Sequence, residues 1–305
     1  MISRSSKRLI NLGEETLPKS SCGQGLRLGL RSSRFSSPTT IEVVLSTGKT
    51  EKIIFSALDK TIESPRTSPP SAKANAGFLN RVKTGRPHFT LKTATTADGK
   101  IATKSQLSQW ITGDEARRYG HLLRTINDAV LVGSGTALKD DPELTCRLPG
   151  LSYDRRPRIV IDGRLRIPLT SKLVRSAAQT PLWIVTLSSH SKDQTSPYEA
   201  HGTTVIRVKA DESGHPGIQE WTAELGRRGI TRILVEGGSA MAGSLLAANL
   251  LDRIAWFRAP KLMGDDGIAA ISALGTDRIE DLPQFRTILS KPLGQDRLDI
   301  LERTS

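Results

Sequence analysis

Aromatic residues make up 4% of the 305 positions, and Cys and Met number two and three. The chain therefore lacks the pattern of nucleic-acid binding in which rings interleave with clustered cations. Cys22 and Cys146 lie far apart, which excludes a disulfide framework and a four-cysteine zinc site and fits a reducing compartment. No apolar run approaches the roughly 20 residues of a membrane span. The expectation is a soluble chain with neither nucleic acid nor membrane as partner.

What is present is positive charge. Lys and Arg outnumber Asp and Glu by 44 to 31, for a net +13. The cations are spread singly or in pairs (Arg117 with Arg118, Arg155 with Arg156, Arg227 with Arg228), and a few that converge suffice to hold one phosphate. A phosphorylated small molecule is the partner this distribution favours. A length of 305 residues with 37% hydrophobic content supports one large domain or two small ones.

Texture changes near residue 85. Before it, SSRFSSPTT and ESPRTSPPSAKA read as loop, and only IEVVLS and EKIIFSALDK look ordered, as a candidate hairpin without a core. Residues 1–85 are expected to be a poorly ordered tail ending in a linker. Their Arg/Ser-rich start has the look of an organellar transit peptide, against which Glu14 and Glu15 count, so a cytoplasmic location is expected with import as the alternative. From residue 86 to 305, strand-like runs (HFTLKTAT, DAVLVG, PRIVID, PLWIVT, TTVIRV, TRILVEG, RIAWFRAP) alternate with helical patterns (GDEARRYGHLLRTI, GIQEWTAELGRRG, SAMAGSLLAANL). This predicts an α/β domain with a mostly parallel sheet flanked by helices. QFRTILSK and RLDILE follow one another without a helix, which predicts an antiparallel C-terminal edge.

Three stretches carry chemistry. In SQLSQWITGDEA, Trp110 sits among polar residues, where an indole either walls a site or packs on the helix that follows; Thr112 or Asp114 is the expected cap of that helix. In RILVEGGSAMAGSLL a strand ends at Glu236, Gly237 and Gly238 turn, Ser239 is placed to cap, and a helix start offers N–H groups to a phosphate. This is not the dinucleotide glycine fingerprint, which excludes a standard Rossmann site. In VGSGTALKDDPELTCR, Gly133 and Gly135 read as a flexible turn. Asp140, Asp141 and Glu143 then crowd together beside Thr136 and Arg147, a mixture suited to a phosphosugar; a solvated turn is the alternative, and no metal is expected.

LKTATTADGKIA, SQWITGDEARRYGHLLR, VLVGSGTALKDDPELTCR, PRIVIDGRLRIP, ILVEGGSAMAGSLL and APKLMG occur in this order, preceded by GFLNRVKTGRP. Over residues 76–303 the chain resembles the reductase domain of the bifunctional riboflavin-biosynthesis deaminase/reductase. The resemblance implies a dihydrofolate-reductase-like fold, a homodimer, and NADPH-dependent reduction of 5-amino-6-(5-phosphoribosylamino)uracil by hydride transfer to ribose C1′. It implies a catalytic set of Lys92, Asp140 and Glu236, and substrate contacts from Ser108, Arg124, Leu144, Arg147 and Glu236. Cofactor contacts are implied for Ala94, Trp110, Thr136, Asp140 and Gly163. The run Gly238, Ser239, Ala240, Met241, Ala242, Gly243 and Ser244 is implied to cradle the cofactor phosphates. Asp98 is a further polar neighbour of the ribose.

Departures from the family pattern bear on function. Gly163 stands where some relatives carry a cofactor-binding serine. Arg164 and Arg166 beside it are candidates for the cofactor 2′-phosphate. The H-x-E and P-C-x-x-C pair of the zinc deaminase is missing, so deaminase activity is not expected and a separate deaminase would act upstream. The alternatives are a reductase of another pterin-like or pyrimidine substrate and a non-catalytic product of gene decay.

Overall fold

The structure, a computed structural model, describes residues 27–28, 39–44, 50–55, 75–150 and 156–304. The chain divides into two compact units, Met1–Asn75 and Ala76–Ser305. In the first, β1 (Arg27–Leu28), β2 (Thr39–Val44) and β3 (Thr50–Phe55) pair antiparallel in that order. β2 and β3 fall on the candidate hairpin. The Arg/Ser-rich start, Cys22 and ESPRTSPPSAKA lie outside the described residues.

The second unit opens with helix α1 (Ala76–Thr84), which covers most of GFLNRVKTGRP. Strands β4 (His88–Thr95), β6 (Ala129–Gly133), β7 (Arg158–Ile161), β8 (Leu182–Leu187), β9 (Thr204–Val208), β10 (Arg232–Val235) and β11 (Leu251–Arg258) form the parallel part of a nine-stranded sheet. β13 (Phe285–Leu293) and β14 (Asp296–Arg303) close it antiparallel. The order is β13-β14-β11-β4-β10-β6-β7-β8-β9. A two-stranded ribbon, β5 (Lys100–Thr103) with β12 (Gly267–Ala269), stands apart from it.

Runs such as AVLV and ILV are apolar without alternation because both sheet faces are covered. On one face Phe89, Leu91, Ile233 and Val235 pack against α6 (Ile218–Arg227) and α7 (Ser239–Ala247), with Phe89 edge-on to Trp221 at 5.9 Å. On the other, Leu234, Ala255 and Phe257 meet α2 (Asp114–Thr125), while Val130, Val160 and Ile184 meet α4 (Lys172–Arg175) and α5 (Lys192–Ala200). α4 and α5 give little signal in the sequence, because one is a single turn and the other carries Pro197 inside it. A capping box between Ser191 and Gln194 starts α5 despite that proline.

Strand β10 comes late in the chain yet lies between two early strands. Val235 is in register with Leu91 of β4 and with Leu131 of β6. Asp128 fixes its start, accepting from the N–H groups of Thr231 (2.8 Å) and Arg232 (3.0 Å).

Candidate active site

The strand register builds the site. With Val235 opposite Leu91, the next residues along the two parallel strands are Glu236 and Lys92, which places a carboxylate beside an ammonium near the carboxyl edge of the sheet. Helix α2 lies over that face: a Cβ built on Gly120 would sit 3.6 Å from Lys92 Cε. One turn on, Arg124 grips Glu236 with two parallel bonds, Nε to Oε1 at 2.6 Å and Nη2 to Oε2 at 2.9 Å. Its Nη1 donates to the Thr145 carbonyl at 2.6 Å. Both side chains are largely buried, at 15% and 12% exposure, so the pair is poorly screened by solvent.

Charges in the cluster tune one another. Burial pushes the Glu236 carboxyl up, but the Arg124 charge and hydrogen bonds, then Lys92 and His121, hold it below the usual range. Burial lowers the Lys92 ammonium from the lysine range, Arg124 lowers it further, and Glu236 opposes both. Such an ammonium releases its proton more readily than an exposed lysine does.

Beside this cluster two helices begin. α3 (Ser134–Asp140) and α7 both open on glycine, Gly133 and Gly238, and neither has a side-chain cap. The expected turn at Gly133 and Gly135 is thus a helix start, and Ser239, expected to cap, is the first helical residue. The N-cap of α2 is likewise Gly113, not Thr112 or Asp114, and it too lacks a side-chain bond. The two starts converge: a Cβ on Gly238 would lie 3.6 Å from Thr136 Oγ1, and one on Gly133 would lie 3.6 Å from Met241 Cε. Uncapped first-turn N–H groups at α7, with glycine alone between them and an approaching group, are donors for an anion. Trp110 is 62% exposed, its ring under the Arg117 guanidinium at 4.6 Å, and its carbonyl accepts from Lys261 Nζ at 3.1 Å. Arg117 belongs to α2, so the indole packs on the helix that follows while most of its surface stays open to solvent.

Residues 87–296 match the family model of the RibD C-terminal domain. The chain belongs to that family. It is 35% identical over 233 residues to the riboflavin biosynthesis protein RibD of Escherichia coli, covering 73% of this chain and 61% of that protein. Among solved structures it resembles Acinetobacter baumannii RibD (25% identity, TM-score 0.65, 77% of this chain and 63% of that one). It also resembles the deaminase/5-amino-6-(5-phosphoribosylamino)uracil reductase of Thermotoga maritima (27% identity, TM-score 0.64, 77% and 62%). The chain thus spans about three-fifths of the length of these relatives.

In this RibD-type domain the remaining expected site residues have diverse surroundings. Ser108 is half-buried in the loop that carries Trp110, and Ala94 is half-buried near the end of β4. Leu144 is buried at 4% exposure among Val130, Val160 and Ile184, with a left-handed backbone (φ 57°). Arg147 is exposed, its Nη1 3.9 Å from Glu143. Asp140 is exposed at the end of α3, while Asp141 accepts the Lys172 N–H at 2.9 Å. Asp141 and Glu143 thus meet different partners while Asp140 faces outward, and among the described residues no group of His, Cys, Asp and Glu is arranged to hold a metal. Along α7, Gly238, Ser239, Ala240 and Met241 form the open first turn. Ala242 and Gly243 are buried, Gly243 against Ser272, and Ser244 is exposed. Gly163 lies against Pro216, and its carbonyl accepts from Thr186 and faces the His190 ring. Arg166 donates to Ser134 Oγ at 2.8 Å, at the start of α3. Asp98 accepts from Thr96 and from the N–H groups of Met263 and Gly264, and the Thr96 bond leads in drawing it down to about 2, so it ties two loops together. His121, to which the sequence assigns no role, stands three residues before Arg124 and so shares its helix face.

Proposed function

We propose that this chain reduces 5-amino-6-(5-phosphoribosylamino)uracil to its ribitylamino product with NADPH. The observation that carries the reading is the Arg124–Glu236 pair set beside Lys92 at the carboxyl edge of the sheet, next to the uncapped start of α7.

The residues present fit the cofactor. The open first turn of α7, with Thr136 across from Gly238, would hold its phosphates, and the exposed face of Trp110 would flank it. Ala94, Gly163 and Asp140 would line its path. Arg166, already at the start of α3, would favour NADPH over NADH by pairing with the 2′-phosphate. When bound, NADPH supplies the hydride for C1′. Opening the ribose ring moves one proton from the exocyclic nitrogen to the ring oxygen, and reduction at C1′ requires one more at nitrogen. Lys92, held below its usual range, would give that proton, and Glu236 would orient both Lys92 and the sugar hydroxyls. Arg147 and Arg124 would meet the ribose phosphate, with Ser108 and the Leu144 backbone completing the substrate contacts. Two copies are the proposed assembly, which gel filtration with light scattering would check.

The deciding experiment follows loss of NADPH absorbance by purified chain given the deaminated substrate or its undeaminated precursor. Turnover of the first alone is the expected result. A folded chain that binds NADPH yet turns over neither would point to a different pyrimidine or pterin-like substrate.

A further inference from the structure

We propose that His121 is a positioning residue: its ring Nδ1 accepts a hydrogen bond from the Arg147 N–H and so sets where the Arg147 guanidinium meets the substrate phosphate. This rests on the reading of Arg147 as a phosphate ligand given above.

The geometry is a clamp. His121 and Arg124 lie on one face of α2, and each engages the segment 145–147. Arg124 Nη1 donates to the Thr145 carbonyl at 2.6 Å, while His121 Nδ1 accepts from the Arg147 N–H at 3.3 Å. The segment needs such fixing because Leu144, just before it, holds a left-handed backbone that a leucine does not favour. The Arg147 side chain itself has 65% exposure and, among the described residues, only the distant Glu143 carboxylate beside it, so its aim depends on its backbone. An Arg whose backbone is held loses less freedom when it pairs with a phosphate.

The clamp requires an unprotonated Nδ1. Burial disfavours the charged ring most, followed by Arg124 and Arg147; Glu236 and the Thr145 carbonyl oppose them without prevailing, which holds the ring below the usual histidine range and favours its neutral form. Lys92 on β4 faces the same cluster and adds positive charge to it. Acidification charges the ring, removes the acceptor and releases Arg147.

The test compares full-length wild type with His121→Ala, His121→Asn, Arg147→Ala and the His121→Ala/Arg147→Ala pair, measuring kcat and KM between pH 5 and 8 at saturating NADPH, with NADPH affinity as the control for folding. Asn is chosen because its carbonyl can accept near the Nδ1 position without titrating. Expected are a roughly tenfold rise in KM for His121→Ala with kcat within about twofold, recovery to within about threefold in His121→Asn, and a double variant no worse than Arg147→Ala. Wild-type KM should rise more steeply in acid than that of His121→Asn; the share due to the substrate phosphate, with a second pKa of about 6, is common to both. Additive losses, or an unchanged KM in His121→Ala alongside a raised one in Arg147→Ala, would overturn the clamp. An unchanged KM in Arg147→Ala would instead overturn the phosphate reading on which it stands.

Discussion

Replacing Glu236 by Gln keeps the side-chain shape and one acceptor but removes the charge that Arg124 and Lys92 face. Both members of the ion pair are under a sixth exposed, joined by bonds of 2.6 and 2.9 Å. Breaking a buried pair costs about 3–5 kcal/mol; because Gln still accepts one bond, the low end applies, and a loss of about 3 kcal/mol lowers the melting temperature by about 6–12 °C in a domain of this size. Removing both charges, as in Arg124→Met/Glu236→Leu, should restore much of that loss, since no unpaired guanidinium remains and Lys92 is already poised to discharge. The pH dependence has a definite sign. The folded carboxyl lies below the ordinary glutamate value of about 4.5, so its contribution is full above that value and is lost as pH falls through the folded value. Thermal melts of wild type and Glu236→Gln should therefore differ most near neutral pH and converge in acid. Melting temperatures within about 2 °C of each other at pH 7, or a gap that persists unchanged to pH 3, would refute the assignment of this pair as a stabilising charge contact. Turnover should fall in Glu236→Gln while NADPH affinity holds.

Further outcomes follow from contacts at single residues. Trp110→Ala should weaken NADPH binding about tenfold by fluorescence titration while shifting the melting temperature by less than about 2 °C, because the indole is mostly exposed. Gly163→Ser, which introduces the hydroxyl some relatives carry, should destabilise by about 1–3 kcal/mol in urea unfolding, since its Cβ would lie 2.7 Å from Pro216 Cδ; Pro216→Ala in the same chain should relieve the loss. In Gly226→Ala the new Cβ would stand 2.1 Å from the Gly85 carbonyl oxygen, where rigid backbone has to move, and a cost of about 3 kcal/mol is expected in the same assay.

The seven parallel strands and the antiparallel end were legible because each is a short apolar run bounded by turn residues, a pattern that a sheet covered on both faces imposes. Helices α2, α6 and α7 were legible through their spacing, whereas α3 was hidden by glycines at its start and α5 by its internal proline. Glu236 was legible from its place at a strand end. What one strand shows nothing of is its neighbour: that Lys92 stands beside Glu236 follows from register between segments more than 140 residues apart, and the collision that keeps position 163 small comes from Pro216, on a separate loop. His121 was invisible for a similar reason, since its meaning lies in a backbone N–H on another segment.

The late insertion of β10 between β4 and β6 also dictates when this protein becomes itself. A ribosome that has delivered the chain only to residue 230 has made both flanking strands but not the one that joins them, leaving two open edges able to recruit other chains. Glu236 follows that strand directly, so the pair with Arg124 forms only as the gap closes. Nascent or truncated chains that stop short of β10 should therefore aggregate, and the Arg124–Glu236 pair is in place only once that strand has been delivered.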